Sequence, residues 1–269
     1  MASAERILLV TGAGGKLGRL LRRYWEMSAP KGWRVVWLSR ADGSWPLQAP
    51  VRADAVLALW GVTPGGADLS MNVTLAQEAM TLAQQCGANR VLQCSSSAVY
   101  GPGVSLSEGG ETIPVTDYGK AKLAMERWVQ ANPVDGIETC LMRMANVVGA
   151  ESLFGAIERP GVLTLDRFAD GQGPRRSYLS VSRFSETVLA LLETDFLPDV
   201  VNVANPTPVA MEALVQAAGK AMQWRDAPDG AVPVVVLETV KLDTVLGNSE
   251  PVGADEMIAE WRALGGETA

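Results

Sequence analysis

The chain of 269 residues contains no histidine. That absence removes a histidine general base, a Ser-His-Asp triad and a histidine metal site together, so proton transfer falls to tyrosine, lysine, cysteine or a carboxylate. Cysteine is scarce. Cys86, Cys94 and Cys140 are odd in number and lack metal-ligand spacing, and two of them sit in apolar strand-like runs, the pattern of buried free thiols in a reducing cytoplasm. No metal site is expected. No apolar run approaches the roughly 18 residues of a membrane span, and the first strand begins almost at once, leaving no room for a signal peptide. A cytoplasmic protein without membrane attachment is the expectation. No cluster of lysine and arginine offsets the net charge of -7, which argues against a nucleic-acid surface. Repeats and low-complexity segments are also missing.

What is present is an ordinary globular composition, 48% hydrophobic and 20% charged, on a chain long enough for one large α/β domain or a domain with a smaller lobe. The N-terminal stretch organises the rest. Ile7, Leu8, Leu9 and Val10 form a short continuous apolar run, which suits a strand buried on both faces. It leads into Gly12, Gly15 and Gly18, spaced Gly-x-x-Gly-x-x-Gly, and then into a helix-like segment ending near Met27. One glycine permits a tight turn, another lets backbone approach a pyrophosphate, and a third lets helix pack on strand. The helix N-terminus offers unpaired N–H groups to the anion. Glycines also mark plain turns; the order strand, loop, helix is what favours a dinucleotide site, with Gly12, Gly15, Lys16, Leu17 and Gly18 as its candidates.

Residues 33–39 read as a second strand. At its end, about 20 residues past the last glycine, such a site places an acidic residue on the adenosine ribose. This chain has Ser39 and Arg40 instead. An arginine there suits a 2′-phosphate, so NADP(H) is favoured and NAD(H) possible, with Lys16 adding charge; a solvated loop arginine is the competing explanation. Residues 54–61 read as another buried strand, ending in Leu59, Trp60 and Gly61, which join the cofactor candidates. Within 65–87 a helix shows two apolar stripes at about 100° per residue. Leu69, Val73, Ala76, Met80 and Ala83 form one, and Leu75, Ala79, Leu82 and Cys86 the other. So wide an arc predicts burial against the sheet and against something else, plausibly a partner subunit. Asn72 projects into it, as a structural clamp or an active-site neighbour.

A strand at 90–95 ends in a serine run, Ser95, Ser96 and Ser97, before Tyr100 and Gly101. The loop to Val115 is rich in Gly, Ser and Pro, and a helix over 116–131 follows. On its wheel Tyr118 and Lys122 lie within about 40° of each other, beside Met125 and Val129. A lysine on an apolar stripe is costly unless paired or used; a snorkelling lysine that covers apolar surface is the bland alternative. Further on, the sequence predicts strands at 137–144, 178–181, 199–204 and 232–237. It predicts helices at 182–193 and 211–222, with two short helices near Lys241 and over 254–264, and an irregular stretch over 154–173. Strands alternating with helices imply a mostly parallel sheet covered on both faces.

Glycine loop, serine run and Tyr-x-x-x-Lys, in this order, resemble the extended short-chain dehydrogenase/reductase family, the NAD-dependent epimerase/dehydratase group. The likeness covers nearly the whole chain. Asn72-Val73, the segment from Ser95 to Gly101, Arg143-x-x-Asn146 with Gly149, Arg176-x-Tyr178 and Asn202 between two valines are similar to further landmarks of that family. The resemblance implies a Rossmann-type, doubly wound fold with a small C-terminal substrate lobe: residues 1–149 with 178–204 as the dinucleotide-binding domain, 150–177 and 205–269 as the lobe. It implies Tyr118 as acid/base, Lys122 as ribose holder and support for the phenolate, and Ser96 as the residue orienting the substrate oxygen. Ser97 and Asn146 would line the substrate pocket, and Arg176 would reach a substrate phosphate. It also implies pairing of two helices into a homodimer.

The chain departs from the family pattern in places. The segment 41–53 is too short for the usual extra strand and helix, Trp60 stands where a small residue is common, and Ser182-Arg183 replaces an acidic pair. Only about 120 residues follow Gly149, so the lobe is trimmed. The expected activity is hydride transfer to or from a hydroxyl or carbonyl of a sugar-like small molecule, with NADP or NAD. A nucleotide-sugar epimerase or dehydratase with retained NAD is the second reading, and a non-catalytic cofactor-sensing protein the third.

Overall fold

The computed structural model describes residues 5–39, 52–65, 68–247 and 250–269. In chain order its elements are β1 Arg6–Thr11, α1 Lys16–Met27, β2 Trp33–Leu38, β3 Ala55–Ala58, α2 Met71–Cys86, β4 Arg90–Ser96, β5 Gly103–Leu106, α3 Asp117–Ala131, β6 Glu138–Met144 and β7 Asn146–Val147. Then come α4 Ser152–Ile157, β8 Leu163–Arg167, β9 Arg175–Arg176, β10 Tyr178–Leu179, α5 Val181–Glu193, β11 Val200–Val203 and β12 Val209–Ala210. The chain finishes with α6 Met211–Ala217, β13 Met222–Asp226, β14 Val234–Leu237, α7 Val240–Leu246 and α8 Ala254–Ala263. A 3-10 turn, Ser97–Val99, follows β4 directly.

Six strands form one parallel sheet in the order β11-β6-β4-β3-β1-β2. The order reverses between β1 and β3, and crossovers of this kind leave a crevice beyond the strand C-termini at that point. Helices cover both faces, so the central strands are apolar on both sides: Leu8, Leu9, Val10, Val56 and Leu57 are all fully buried. Among the described residues β2 is the edge, with no further strand beyond it, in keeping with the short segment after it. Arg40 lies outside the described residues.

The two stripes of α2 find packing partners within the chain. Leu75 and Ala79 pack with Ala58 and Trp60, while Met80, Leu82 and Ala83 meet Leu9, Val56 and Val91. Ala76 packs with Met125 and Val129 of α3. The neighbouring helix thus covers part of the arc, while Leu69 and Val73 stay only partly buried.

A second apolar core gathers Phe154, Ile157, Leu163, Tyr178, Leu214, Met257 and Trp261, with Phe154 edge-on to Trp261 at 5.1 Å. Here the sequence reading needs correction. The helix expected over 211–222 stops at Ala217, because Gly219 takes a left-handed φ of 72° and turns the chain into β13. The stretch read as irregular holds α4 and β8, whose Leu163 and Leu165 face inward on alternate residues. The Gly/Ser/Pro loop after Gly101 contains β5, paired in parallel with β14.

Candidate active site

The glycine loop follows the C-terminal end of β1. Gly12 has φ 72°, and a Cβ there would lie 2.6 Å from the Trp60 backbone nitrogen and 2.9 Å from the Leu59 carbonyl carbon. A Cβ on Gly18 would lie 2.4 Å from the Gly12 oxygen. Only glycine lets this turn, α1 and the end of β3 approach so closely. The turn is closed by the Gly15 N–H donating to the Gly12 carbonyl at 2.9 Å. Gly15 caps α1 without any side-chain acceptor, and the first turn of α1 carries no acidic residue. Its N–H groups and positive dipole end therefore face outward, a cradle that fits the pyrophosphate of a dinucleotide. Ser39, buried at the end of β2, brings its Oγ to 3.1 Å from where a Gly14 side chain would begin. Leu17 packs against the main core.

Two cofactor candidates are placed differently from the sequence expectation. The Trp60 indole turns into the packing under α2, so only its backbone reaches the glycine turn, and a large residue is accommodated where a small one was expected. Lys16 is exposed and extends toward α4, its Nζ 3.7 Å from where a Gly155 side chain would begin.

Gly61 connects this turn with the next group. A Cβ there would sit 3.1 Å from Lys122 Nζ and 3.2 Å from Asn72 Oδ1. Asn72 resolves as a clamp: its amide accepts from the Val62 N–H at 3.1 Å and donates to the carbonyls of Val62 (3.1 Å) and Leu69 (2.9 Å). These bonds satisfy a fully buried amide and fix the loop after β3.

Thr116 caps α3, its Oγ1 accepting from the Gly119 N–H at 3.0 Å. That start places Tyr118 and Lys122 one turn apart on the face toward β4. Ser96 lies beside the Tyr118 hydroxyl and acts on it, and Ser96 Oγ accepts from the Ala98 N–H at 3.2 Å. Lys122 is 4% exposed and donates to the Cys94 carbonyl at 3.0 Å. Burial raises Tyr118 above the ordinary phenol value, with Ser96 pulling the other way. Burial lowers Lys122, against the pull of Cys94 and Glu126. The Cys94 thiol is pushed up to about 12 by burial. Tyr118, Lys122 and Ser96 thus converge where the sheet meets the glycine turn.

The substrate candidates are more scattered. Ser97 is buried in the 3-10 turn, its carbonyl accepting from the Tyr100 N–H at 3.1 Å. Asn146 is half-buried on β7, in register with Tyr178 of β10. Arg176 is tied down by backbone: Nη1 donates to Arg175 and Pro233 carbonyls at 2.8 and 3.1 Å, and Nη2 to the Val232 carbonyl at 2.7 Å. Those bonds anchor the loop before β14, so most of the guanidinium serves the fold.

Sequence reasoning missed two acidic residues here. Glu151 caps α4 by accepting from the Leu153 N–H at 2.9 Å, and burial raises its carboxyl above the usual range. Glu126 sits one turn beyond Lys122, 1% exposed, paired with Arg143 at 2.8 Å. Its signal was legible: a third polar residue at the same helical spacing as Tyr118 and Lys122.

The NAD dependent epimerase/dehydratase family matches over residues 8–204, and the chain belongs to that family. Two curated relatives, the 3 beta-hydroxysteroid dehydrogenase/Delta 5-->4-isomerases of two Mycobacterium tuberculosis strains, are 34% identical over 86 residues, 30% of this chain. That match spans 23% of their length. Among solved structures, MoeE5 in complex with UDP-glucose and NAD aligns at a TM-score of 0.75 and 23% identity, covering 96% of this chain and 97% of its own. TunA, an NAD dependent NDP-hexosamine 5,6-dehydratase, aligns at 0.76 and 18%, covering 96% and 98%. A UDP-galactose 4-epimerase gives 0.73 and 22%, with the same coverage. Identities this low speak for a shared fold.

Proposed function

We propose that the protein is an NAD(P)-dependent oxidoreductase that moves a hydride to or from a hydroxyl or carbonyl of a sugar-like small molecule, with Tyr118 as acid/base. The observation that carries this reading is a buried Lys122 that donates to the Cys94 carbonyl beside Gly61, one helical turn from Tyr118 on a helix packed against the end of β4, where Ser96 is the neighbour of Tyr118. A bound nicotinamide supplies the hydride acceptor or donor. Gly12, Gly15 and Gly18 would hold its pyrophosphate against the start of α1, with Leu59, Gly61 and Ser39 along its path and Lys122 on its ribose. Tyr118 gives or takes the proton at its phenolic oxygen, and Ser96 orients the oxygen that exchanges it. A phenol with an ordinary value near 10 and raised further by burial favours the protonated form. The Lys122 ammonium and a cationic ring both favour the phenolate.

Arg40, at the sequence position of an acidic ribose ligand, supports NADP(H), whereas of the solved neighbours named above one is an NAD complex and another is NAD dependent. A calorimetric titration with both cofactors decides between them, followed by a panel of sugars and sugar nucleotides. Tyr118→Phe should abolish turnover while leaving cofactor affinity within about threefold. Absence of nicotinamide binding would end this reading.

A second reading, a nucleotide-sugar epimerase or dehydratase with retained NAD, uses the same trio. The fold shared with proteins of that kind supports it; the backbone anchoring of Arg176 weakens it. Cofactor that washes out freely, with no UDP- or GDP-sugar binding, would count against it. A non-catalytic, cofactor-sensing role gains only if Tyr118→Phe leaves the biological role untouched. A homodimer through the outer sides of α2 and α3 is retained as a proposal, tested by light scattering at micromolar concentration.

A further inference from the structure

Beneath the Tyr118–Lys122 pair lies a polar cluster that the chemistry above does not use. Ser95 on β4 and Arg143 on β6 are register partners, so they share the sheet face that α3 covers. Glu126 of α3 binds both. Its Oε1 accepts from Ser95 Oγ, and Arg143 donates from Nε at 3.1 and 3.2 Å and from Nη2 at 2.8 Å. Arg143 Nη1 donates onward to the Tyr100 hydroxyl at 2.9 Å, which donates to Asn202 Oδ1 at 2.8 Å. Lys122 and Glu126 therefore bond to successive residues at the end of β4, the Cys94 carbonyl and Ser95, and Tyr118, one turn earlier, has the next residue, Ser96, as its neighbour.

We propose that Glu126 is a positioning residue for the Tyr118–Lys122 pair: clamped by Arg143 and tied to Ser95, it fixes the third contact that seats α3 on the end of β4. Stability alone does not call for such a cluster, because apolar residues of similar volume commonly replace a buried ion pair without loss. Directional bonds do something that apolar contacts cannot. They forbid a slide or rotation of α3 that would carry Tyr118 away from Ser96. Glu126 also supplies charge. The groups facing Lys122 are Cys94 from β4, Asn72 from α2, and Tyr118 and Glu126 from its own helix. Of those that act on its charge, Cys94 and Glu126, the thiol is held protonated by burial, and the carboxyl is the one paired with Arg143. Those facing Glu126 are Arg143 from β6, Ser95 from β4 and Lys122.

This inference rests on the enzymatic reading, and its test separates the two. Lysine side-chain NMR on the cofactor-free full chain follows Lys122 through its titration, with Lys122→Met as the assignment control. In Glu126→Gln, Lys122 should lose its proton at lower pH than in the parent. The double variant Glu126→Leu/Arg143→Met, which keeps the packing if the single variant folds poorly, should show the same displacement. Ser95→Ala retains the carboxylate, so its Lys122 midpoint should stay in place. In hydride-transfer assays Ser95→Ala should lose roughly tenfold to a hundredfold in kcat, with KM within about twofold. An unmoved Lys122 midpoint in both Glu126 variants, or full kcat in Ser95→Ala, would overturn the proposal. The titration needs no substrate, so its answer stands whether or not turnover is found.

Discussion

Gly119 lies between Tyr118 and Lys122 in sequence, and its missing side chain sets how close α3 comes to the serine turn. A Cβ there would lie 2.2 Å from the Ala98 carbonyl oxygen, 3.0 Å from its carbon and 2.9 Å from Pro114 Cβ. Two of these atoms are backbone, held by the turn that also carries Ser96. Non-bonded carbon contacts settle near 3.5 Å or more, so Gly119→Ala must push α3 outward by about 1 Å. Two effects then compete. Alanine gains about 1 kcal/mol over glycine inside a helix, whereas overpacking costs about 1–3 kcal/mol. The net loss is about 0–2 kcal/mol, and each kcal/mol moves the Tm of a chain this size by about 2–4 °C. Function should suffer far more, because a displacement of about 1 Å at a reacting group costs about a hundredfold in rate. The expected signature is a Tm within a few degrees of the parent, beside a large drop in kcat. Gly109→Ala is the control, since nothing lies within 4 Å of its would-be side chain. Differential scanning calorimetry and steady-state kinetics read both quantities. A Gly119→Ala protein that is more stable and fully active would refute the claim that the α3 contact on this turn positions Tyr118.

Gly12→Ala faces backbone at 2.6 Å and a φ of 72°, so cofactor affinity should fall at least about tenfold by calorimetry; an unchanged Kd would exclude the glycine turn as the pyrophosphate cradle. Arg143→Met alone strands the Glu126 carboxylate, both partners being nearly fully buried, and should cost about 3–5 kcal/mol in urea unfolding. The double replacement Glu126→Leu/Arg143→Met should come close to the parent, and equal losses in single and double variants would contradict this. Stability should fall above about pH 9. Burial holds Cys94 at about 12 and raises Tyr100, Tyr118 and Tyr178. As pH passes their ordinary values the unfolded chain releases protons that the folded chain keeps, at up to about 1.4 kcal/mol per pH unit for each group. Lys122, lowered by burial, has the opposite sign but is one group against four, so a urea midpoint flat or rising from about pH 8.5 to 10.5 would sink the argument.

The legible parts of this protein were those governed by local pattern. β1, the glycine loop and α1 lie within one short stretch of chain, and the buried parallel strands announce themselves as unbroken apolar runs such as residues 7–10. Lys122 was legible for a different reason: a charge on an apolar stripe contradicts the pattern around it, and the contradiction marked its place under Tyr118. What escaped depends on distant pairings. The apolar run of β14 could be read from the sequence, but its partner β5, more than a hundred residues away in the chain, has neither the length nor the alternation to be seen alone. The roles of Arg143 and Arg176 were obscured for the same reason. Each reads as an available cation until the fold supplies a buried carboxylate at 2.8 Å for one and three carbonyls for the other. The width of the α2 arc shows that a face is covered without saying by what, and α3 covers part of it.

Burial acts on the two ends of the Tyr118–Lys122 pair in a way that gives Glu126 its place. It raises the phenol and lowers the ammonium, so both shifts favour an uncharged pair. A protonated Tyr118 is the form that donates to a developing alkoxide, and on the proposed reading the reductive direction starts from the state burial already sets. The reverse direction needs a phenolate, and hence positive charge close by. A neutral lysine would supply none. On the proposed reading, burying Lys122 works against the charge that would make it useful, and a carboxylate one turn away offsets that loss without exposing the site to water. Arg143 pairs with that carboxylate in a dry interior, and the Tyr100 and Asn202 bonds orient the Arg143 guanidinium in turn. On that reading the polar cluster on β4 and β6 and the pair one turn away on α3 form one electrostatic arrangement.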